Sequence, residues 1–265
     1  MTNSPYAAYI AFAHELADAA AAVTIPQFRN LKDVDNKLAG DDFDPVTIAD
    51  RGAEQAIRDL IDTHHPSHAI LGEEYGEKPG QDGEALQWVL DPIDGTRQFI
   101  SGMPTWGTLI ALNDAGVPKL GMLDQPFTDE RFYACDGMGA FLRHQNQLEK
   151  LSTRPCARLS EATISTTSPE CFKSDELALW EKAAQSAKLA RYGGDCYGYA
   201  MVAAGHMDAV IESGLSAYDI QALIPLVEEA GGIVTSWQGG DAAQGGSALA
   251  CGDKALHAEL VALLG

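Results

Sequence analysis

Two textures of apolar and polar positions divide this chain. An alanine-rich stretch broken by His14, Glu15 and Asp18 follows Ser4-Pro5 and predicts a helix to about Arg29. Ser4 offers an N-cap hydroxyl, and proline suits the first helical turn, where its missing N–H would have no partner anyway. Residues 32–45 are polar, carry Asp, Gly and Pro, and predict a loop. Thr47-Ile48-Ala49-Asp50 has the spacing of a capping box and opens a second helix that ends near His64-His65-Pro66. Short apolar runs at 69–71 and 88–90 predict buried strands on either side of a Gly/Pro-rich loop at 76–85. Strands at 106–112, 117–123, 130–135 and 139–142, divided by turns such as Asn113-Asp114-Ala115-Gly116, predict an antiparallel meander. From about residue 150 the texture changes. Strands at 162–166, 209–212, 233–235 and 248–251 alternate with helices at 174–189, about 196–204, about 218–230 and at the end. A short strand is also expected just after the first of these helices. That alternation predicts an α/β half, residues 151–265, behind an α+β half, residues 1–150.

Composition narrows the function. With 46% hydrophobic and 21% charged residues, the chain is neither disordered, collagen-like nor a coiled coil. Eighteen basic against 38 acidic residues give a net charge of −20. That balance argues against an open face for a nucleic-acid backbone, which needs a basic footprint. A small anionic substrate stays compatible if a cation mediates the contact. The five cysteines (135, 156, 171, 196 and 251) form no C-x-x-C pair and predict reduced thiols in the cytoplasm. The N-terminus lacks the basic start of a signal peptide, and no run of about 20 wholly apolar residues predicts a membrane span.

G-x-S-x-G, Walker A and complete G-x-G-x-x-G motifs are absent from the sequence. Asp33-Val34-Asp35 has D-x-D spacing, but no apolar strand delivers it, so it reads as loop. The strongest candidate is Asp91-Pro92-Ile93-Asp94-Gly95-Thr96, at the end of a buried strand. Pro92 fixes φ and Gly95 permits a sharp turn, which aims Asp91, the Ile93 carbonyl, Asp94 and Thr96 at one point. An all-oxygen set suits a hard cation such as Mg²⁺, and N–H groups at a helix start suit a phosphate. Metal and phosphate together imply phosphoryl chemistry. Gly72-Glu73-Glu74 adds two adjacent acids after an apolar strand, where a nearby cation would relieve their repulsion; a solvated loop is the plainer reading. Asp219, near the start of an apolar helix, equally fits a ligand or a complement to the helix dipole.

Taken together, these blocks resemble the inositol monophosphatase family. The match is carried by Pro45-Val46-Thr47-Ile48-Ala49-Asp50 with Asp44 before it and Glu54 after it, then Gly72-Glu73-Glu74, then 88–96, then Tyr218-Asp219 with Glu228-Glu229-Ala230-Gly231-Gly232. Stretches 94–102, 107–112 and 191–197 look most like the histidinol-phosphatase branch. The resemblance implies a layered αβαβα sandwich, a homodimer, and removal of phosphate from a small phosphomonoester with two or three Mg²⁺ per active site. It implies one metal on Glu73, Asp91 and the Ile93 carbonyl, and another on Asp91, Asp94 and Asp219. Thr96 would orient the attacking water with Glu73, and Asp50 would hydrogen-bond Thr96 from behind. The phosphate and the organic part of the substrate would meet Asp94, Gly95, Thr96 and Arg97 on one side. Arg191, Gly194, Asp195, Glu212 and Asp219 would meet them on the other. The implied substrate is L-histidinol phosphate, with inositol 1-phosphate or other sugar phosphates as the alternative. Two departures stand out: Tyr218 replaces a usual Trp, and Asp195 stands where inositol phosphatases usually carry a hydroxyl residue. Asp195 fits either a partner for a substrate ammonium or a cap on the following helix.

Overall fold

The computed structural model describes residues 4–31, 35–36 and 45–265. A 3-10 turn at Pro5–Ala8 runs into α1, Tyr9–Gln27. The Ser4 side chain makes no cap bond, so proline alone marks this start. Most of the expected loop, with Asp33, Val34 and Asp44, lies outside the described residues. Its described ends are short strands rather than loop: β1, Asp35–Asn36, pairs antiparallel with β2, Pro45–Val46, and Asp35 ion-pairs with Arg51 at 3.2 Å. In α2, Ile48–His64, the capping box forms as its spacing predicts. The Thr47 hydroxyl accepts the Ala49 N–H at 3.1 Å, and the Asp50 carboxylate accepts the Thr47 N–H at 2.8 Å.

The next elements are β3 Ala69–Gly72, β4 Gly76–Lys78, β5 Leu86–Asp94, α3 Thr96–Ile100, β6 Gly107–Asp114, β7 Val117–Gln125, β8 Glu130–Cys135, β9 Gly139–His144 and β10 Gln147–Lys150. The strands build one sheet in the order β10-β9-β8-β7-β6-β5-β3-β4. It is the expected meander, antiparallel except where β3 runs parallel to β5. Strand β4 falls inside the expected 76–85 loop, and the fully exposed edge strand β10 carries no apolar pattern to announce it. Strand β5 is nine residues long, so Asp91-Pro92-Ile93-Asp94 forms its end instead of following it.

The second half holds β11 Thr163–Thr166, α4 Ser174–Ser186, β12 Leu189–Tyr192, α5 Asp195–Ala203, β13 Ala209–Leu215, α6 Ala217–Ile220, α7 Leu223–Glu229, β14 Ile233–Thr235, β15 Gly246–Cys251 and α8 Lys254–Leu264. Its sheet order is β12-β11-β13-β15-β14, parallel over the first three strands and antiparallel over the rest. The single helix expected at 218–230 is two helices. Pro225 has no N–H to give the Gln221 carbonyl and its ring crowds that oxygen, so the helix restarts.

Five layers result. Phe12, Leu16, Ala20, Ile57 and Ile61 of α1 and α2 pack on Trp88, Leu90, Ile110 and Met122 of the larger sheet. Tyr199, Val202 and Leu226 of α5 and α7 lie between Leu109, Leu123 and Phe132 of that sheet and Val210 and Ala250 of the smaller one. Trp180, Leu256 and Leu260 of α4 and α8 cover the far side. This is the αβαβα sandwich expected from the sequence. Pro5–Gln27 is, against expectation, long and apolar enough on average to pass for a membrane span. Its apolar side packs in the core, and Arg131 reaches Asp18 on it at 2.8 Å, as in a core helix.

The middle layer approaches the larger sheet closely at Gly121. A Cβ there would lie 1.9 Å from the Ala222 carbonyl oxygen, a backbone atom that cannot swing aside. Gly121→Ala should therefore destabilise the fold by about 1–3 kcal/mol. Denaturant unfolding measures this, and unchanged stability would mean that α7 is not seated on β7 in this way.

Candidate metal centre and active-site cavity

The end of β5 is irregular for a reason visible in its ladder. Asp91 pairs with Leu109 and Asp94 with Gly107, so the register shifts between them. Pro92 sits in that shift, where its missing N–H leaves no gap in the ladder. The bulge turns Asp91 and Asp94 toward one side. Gly95 then adopts φ 81°, a left-handed conformation that glycine takes without strain, and α3 begins.

Asp219 comes from the other half, in the first turn of α6. One carboxylate oxygen each of Asp91, Asp94 and Asp219 lies within 4.8 Å of the others. Backbone N–H groups hold all three side chains. Asp91 accepts the Ile93 N–H at 3.0 Å, Asp94 the Cys196 N–H at 2.6 Å and Asp219 the Ser216 N–H at 2.6 Å. One oxygen of each is thereby fixed, and each has a second to offer. Asp91 is 2% exposed. Burial, then Glu73, Asp94 and Asp219, holds its proton well above the usual carboxylate range. Burial, then Asp195 and Asp219, does the same to Asp94. Burial, with Glu73 and Glu212, pushes Asp219 up to about 7. Crowded acids of this kind, all oxygen donors, fit a hard divalent cation.

The other expected residues fall at varying distances from this point. Glu73 follows β3, beside the end of the parallel strand β5, and its charge acts on Asp91, Asp219 and Asp50. The Ile93 carbonyl accepts the Thr96 hydroxyl at 3.0 Å. Asp50 does not bond Thr96, as the sequence led us to expect. Its Oδ2 serves the Thr47 cap, its buried Oδ1 has no partner, and burial raises its pKa to about 6. The cap requires the Asp50 side chain to fold back on its own helix.

Beside the carboxylates lies a cavity of about 260 Å³. Its walls include Asp94, Thr167, Asp195, Tyr199, Glu212 and Asp219. Glu212 is buried and accepts from the Tyr199 hydroxyl at 2.8 Å and the Thr167 N–H at 3.1 Å. Asp195 is left-handed at φ 43°, and its buried Oδ2 has no partner. It is not the helix cap that one reading allowed: Asp94 takes the N–H of the first turn of α5 instead. Burial and Glu212 raise the Asp195 pKa to about 7, opposed by a hydrogen bond with Gln98 and by the nearby Arg97 charge. Gly194 precedes this turn. Arg191, in contrast, sits exposed on the edge strand β12 and does not line the cavity. Tyr218 packs partly buried against the central core. Thr167, Gln98 and Tyr199 escaped sequence reasoning. The polar run after β11 was a usable signal for Thr167, because ligands collect at the carboxyl ends of parallel strands.

Comparison with known proteins agrees with this geometry. The inositol monophosphatase family model matches residues 6–265, and the chain belongs to that family. Its phosphatases are metal-dependent enzymes. The chain is 35% identical to a histidinol-phosphatase of Chlorobaculum parvum over 259 residues, 95% of this chain and 94% of that protein. It is 45% identical to the bifunctional phosphatase IMPL2, chloroplastic, of Arabidopsis thaliana over 87% of its own length, and spans 65% of that longer protein. Among solved structures, an inositol monophosphatase from Zymomonas mobilis superposes with a TM-score of 0.87 at 39% identity, with 99% of both chains covered.

Raised aspartate pKa values carry a sign that can be measured. In the unfolded chain an aspartate titrates at its ordinary 3.8, whereas Asp219 and Asp195 titrate here at about 7. Between those values the folded protein binds more protons than the unfolded one, so the metal-free fold loses stability as pH rises. His14, lowered to about 4 by burial and by Arg131, works in the opposite sense. The difference made by a cation isolates the carboxylates, since His14 contributes with or without it. The gain in Tm on adding saturating Mg²⁺ should therefore grow from pH 5 to pH 8. A gain that is absent, or the same at every pH, would rule out a cation among these aspartates.

Proposed function

We propose that this protein is a Mg²⁺-dependent phosphomonoesterase whose substrate is L-histidinol phosphate, which it splits to L-histidinol and phosphate. The observation that carries the substrate is the unpartnered, buried carboxylate oxygen of Asp195 in a cavity that also holds Glu212. A neutral ring of hydroxyls gains little from two acids. A substrate with an ammonium and an imidazole gains a charge-assisted hydrogen bond from them. The histidinol-phosphatase relative supports the same reading. The second reading, an inositol or broad sugar-phosphate phosphatase, is favoured by the likeness to the Zymomonas mobilis structure.

Glu73, Asp91, the Ile93 carbonyl, Asp94 and Asp219 would hold two or three Mg²⁺. When bound, such ions neutralise phosphate charge and acidify water. The chain's own residues do the rest. N–H groups after Gly95, at the start of α3, face the phosphate. Thr96 and Glu73 would align a water with phosphorus, the Glu73 carboxylate taking its proton and the departing substrate oxygen being protonated from solvent, with Thr96 giving up its bond to Ile93 as substrate enters. Arg97, exposed in the first turn of α3, adds positive charge at the mouth. The reading extends to a homodimer that does not engage nucleic acid or membrane. Five unpaired cysteines favour a reducing cytoplasm.

Thr96→Ala should lower kcat by about 10²–10⁴-fold, the usual range for proton-transfer and orientation effects, with little change in KM. A rise in KM alone would make Thr96 a binding residue. The substrate assignment is tested by phosphate release from histidinol phosphate and inositol 1-phosphate with wild type and Asp195→Asn. Asn tolerates the left-handed backbone as well as Asp does, so the fold is kept. Loss of a charge-assisted bond, about 1.5–3 kcal/mol, should cost histidinol phosphate tenfold or more in kcat/KM and inositol 1-phosphate, which has no cationic group, little. Equal small losses on both would remove the histidinol assignment and leave a generic phosphatase.

A further inference from the structure

Helix α2 buries two neighbouring stripes. Ala49, Ala53, Ile57 and Ile61 form an apolar one that packs in the core. Beside it, four residues apart, Asp50, Glu54 and Arg58 form a charged one that is also buried, with Glu54 at 0% and Arg58 at 9% exposure. A buried charged stripe on a core helix is costly unless each charge has a fixed partner. Asp50 closes the helix cap. Glu54 and Arg58 do something else: they hold the turn between β3 and β4.

The turn is Glu73-Glu74-Tyr75, between the paired residues Gly72 and Gly76. The Glu73 N–H donates to the Leu90 carbonyl of β5 at 3.2 Å. The next two N–H groups both donate to Glu54, Glu74 to Oε2 at 2.7 Å and Tyr75 to Oε1 at 3.2 Å. Arg58 Nε donates to Glu54 Oε1 at 2.7 Å, and its guanidinium also donates to the Gly76 carbonyl. The guanidinium lies over the Tyr75 ring, 5.9 Å from its centroid. Gly72 leaves the room for this arrangement, since a Cβ there would stand 2.0 Å from Glu54 Oε1.

We infer that Glu54 and Arg58 are positioning residues that set the Glu73 carboxylate against Asp91. The inference rests on the metal site proposed above. The hairpin is already closed by three residue pairs, Ile70–Lys78, Leu71–Glu77 and Gly72–Gly76. Hairpin closure therefore does not require a buried ion pair. What the pair adds is a fixed path for the backbone on the C-terminal side of Glu73, while β5 fixes its N–H. The Glu73 carboxylate is then held relative to β5, the strand that carries the aspartates. Glu54→Gln is nearly isosteric, but it puts an amide donor against one of the turn N–H groups and leaves Arg58 without its counter-charge.

Mg²⁺ binding to the substrate-free protein, measured by calorimetry, tests this. Glu54→Gln should weaken Mg²⁺ about 10–100-fold, the range for residues that orient metal ligands, and leave substrate KM at saturating Mg²⁺ close to wild type. Gly72→Ala reaches the same contact from the other side by displacing Glu54, and keeps the test open if Glu54→Gln does not fold. It should weaken Mg²⁺ as well, and the double variant should be no worse than the stronger single one, because both break one contact. A lowered Tm with unchanged Mg²⁺ affinity in either folded variant would overturn the inference and leave the pair a structural brace. A wild-type protein that binds no Mg²⁺ would overturn the metal site itself, whereas tight wild-type binding shared by both variants would overturn only the positioning role.

Discussion

Like charges held together away from water are the constraint around which this fold is organised. Asp91, Asp94 and Asp219 bring carboxylate oxygens within 4.8 Å, in surroundings that raise the proton affinity of all three. Nothing about such a cluster favours folding. It exists because each side chain is tied to a backbone N–H that the fold supplies independently: a bulge in β5 for Asp91, the start of α5 for Asp94, the cap of α6 for Asp219. The core supplies the stability and the backbone supplies the aim. A cation bound there would convert the mutual repulsion into coordination.

This explains why two halves are needed. The meander delivers Asp91 and Asp94 on one strand, and the parallel neighbour β3 delivers Glu73 next to its end. Neither strand can supply a ligand from the opposite direction. Asp219 and the cavity wall come from the smaller sheet and its helices, so the site lies where the halves meet. Asp94 joins them physically, since its own carboxylate takes the first-turn N–H of α5 across 102 residues of sequence. Thr105, whose hydroxyl donates to the Gly193 carbonyl at 3.0 Å, makes a second tie nearby. Relative movement of the halves would open the carboxylate cluster and the cavity together.

How legible this was depended on how local each feature is. The capping box at Thr47, the meander and the turn at Gly95 are set by neighbours in sequence and were readable there. The acidic cluster was readable as a set only through resemblance, because no local rule links Asp91 to Asp219. Hydrogen bonds decided where two aspartates went: Asp50 closes its own helix cap instead of meeting Thr96, and of the two roles open to Asp195 the cap of α5 is taken by Asp94. Arg191, close in sequence to Gly194, is exposed on the edge strand β12 and does not line the cavity. Strand β10 leaves no signal in the sequence, since an exposed edge needs no apolar pattern, and the break before α7 is set by Pro225.

The cavity shows how the same physics reaches from metal to specificity. Glu212 has its hydrogen bonds filled by Thr167 and Tyr199, so it is a fixed wall whose charge is felt by its neighbours. Asp195 has one oxygen filled by no one, and Glu212 helps push its pKa to about 7. Burial and Glu212 both disfavour its charged form. A cationic group changes that balance: it draws the proton off Asp195 and gains an ionised partner as it binds. The left-handed backbone at φ 43° keeps the side chain at the cavity when it has no ligand. On the proposed reading, one left-handed aspartate next to one satisfied glutamate would be enough to favour a positively charged substrate.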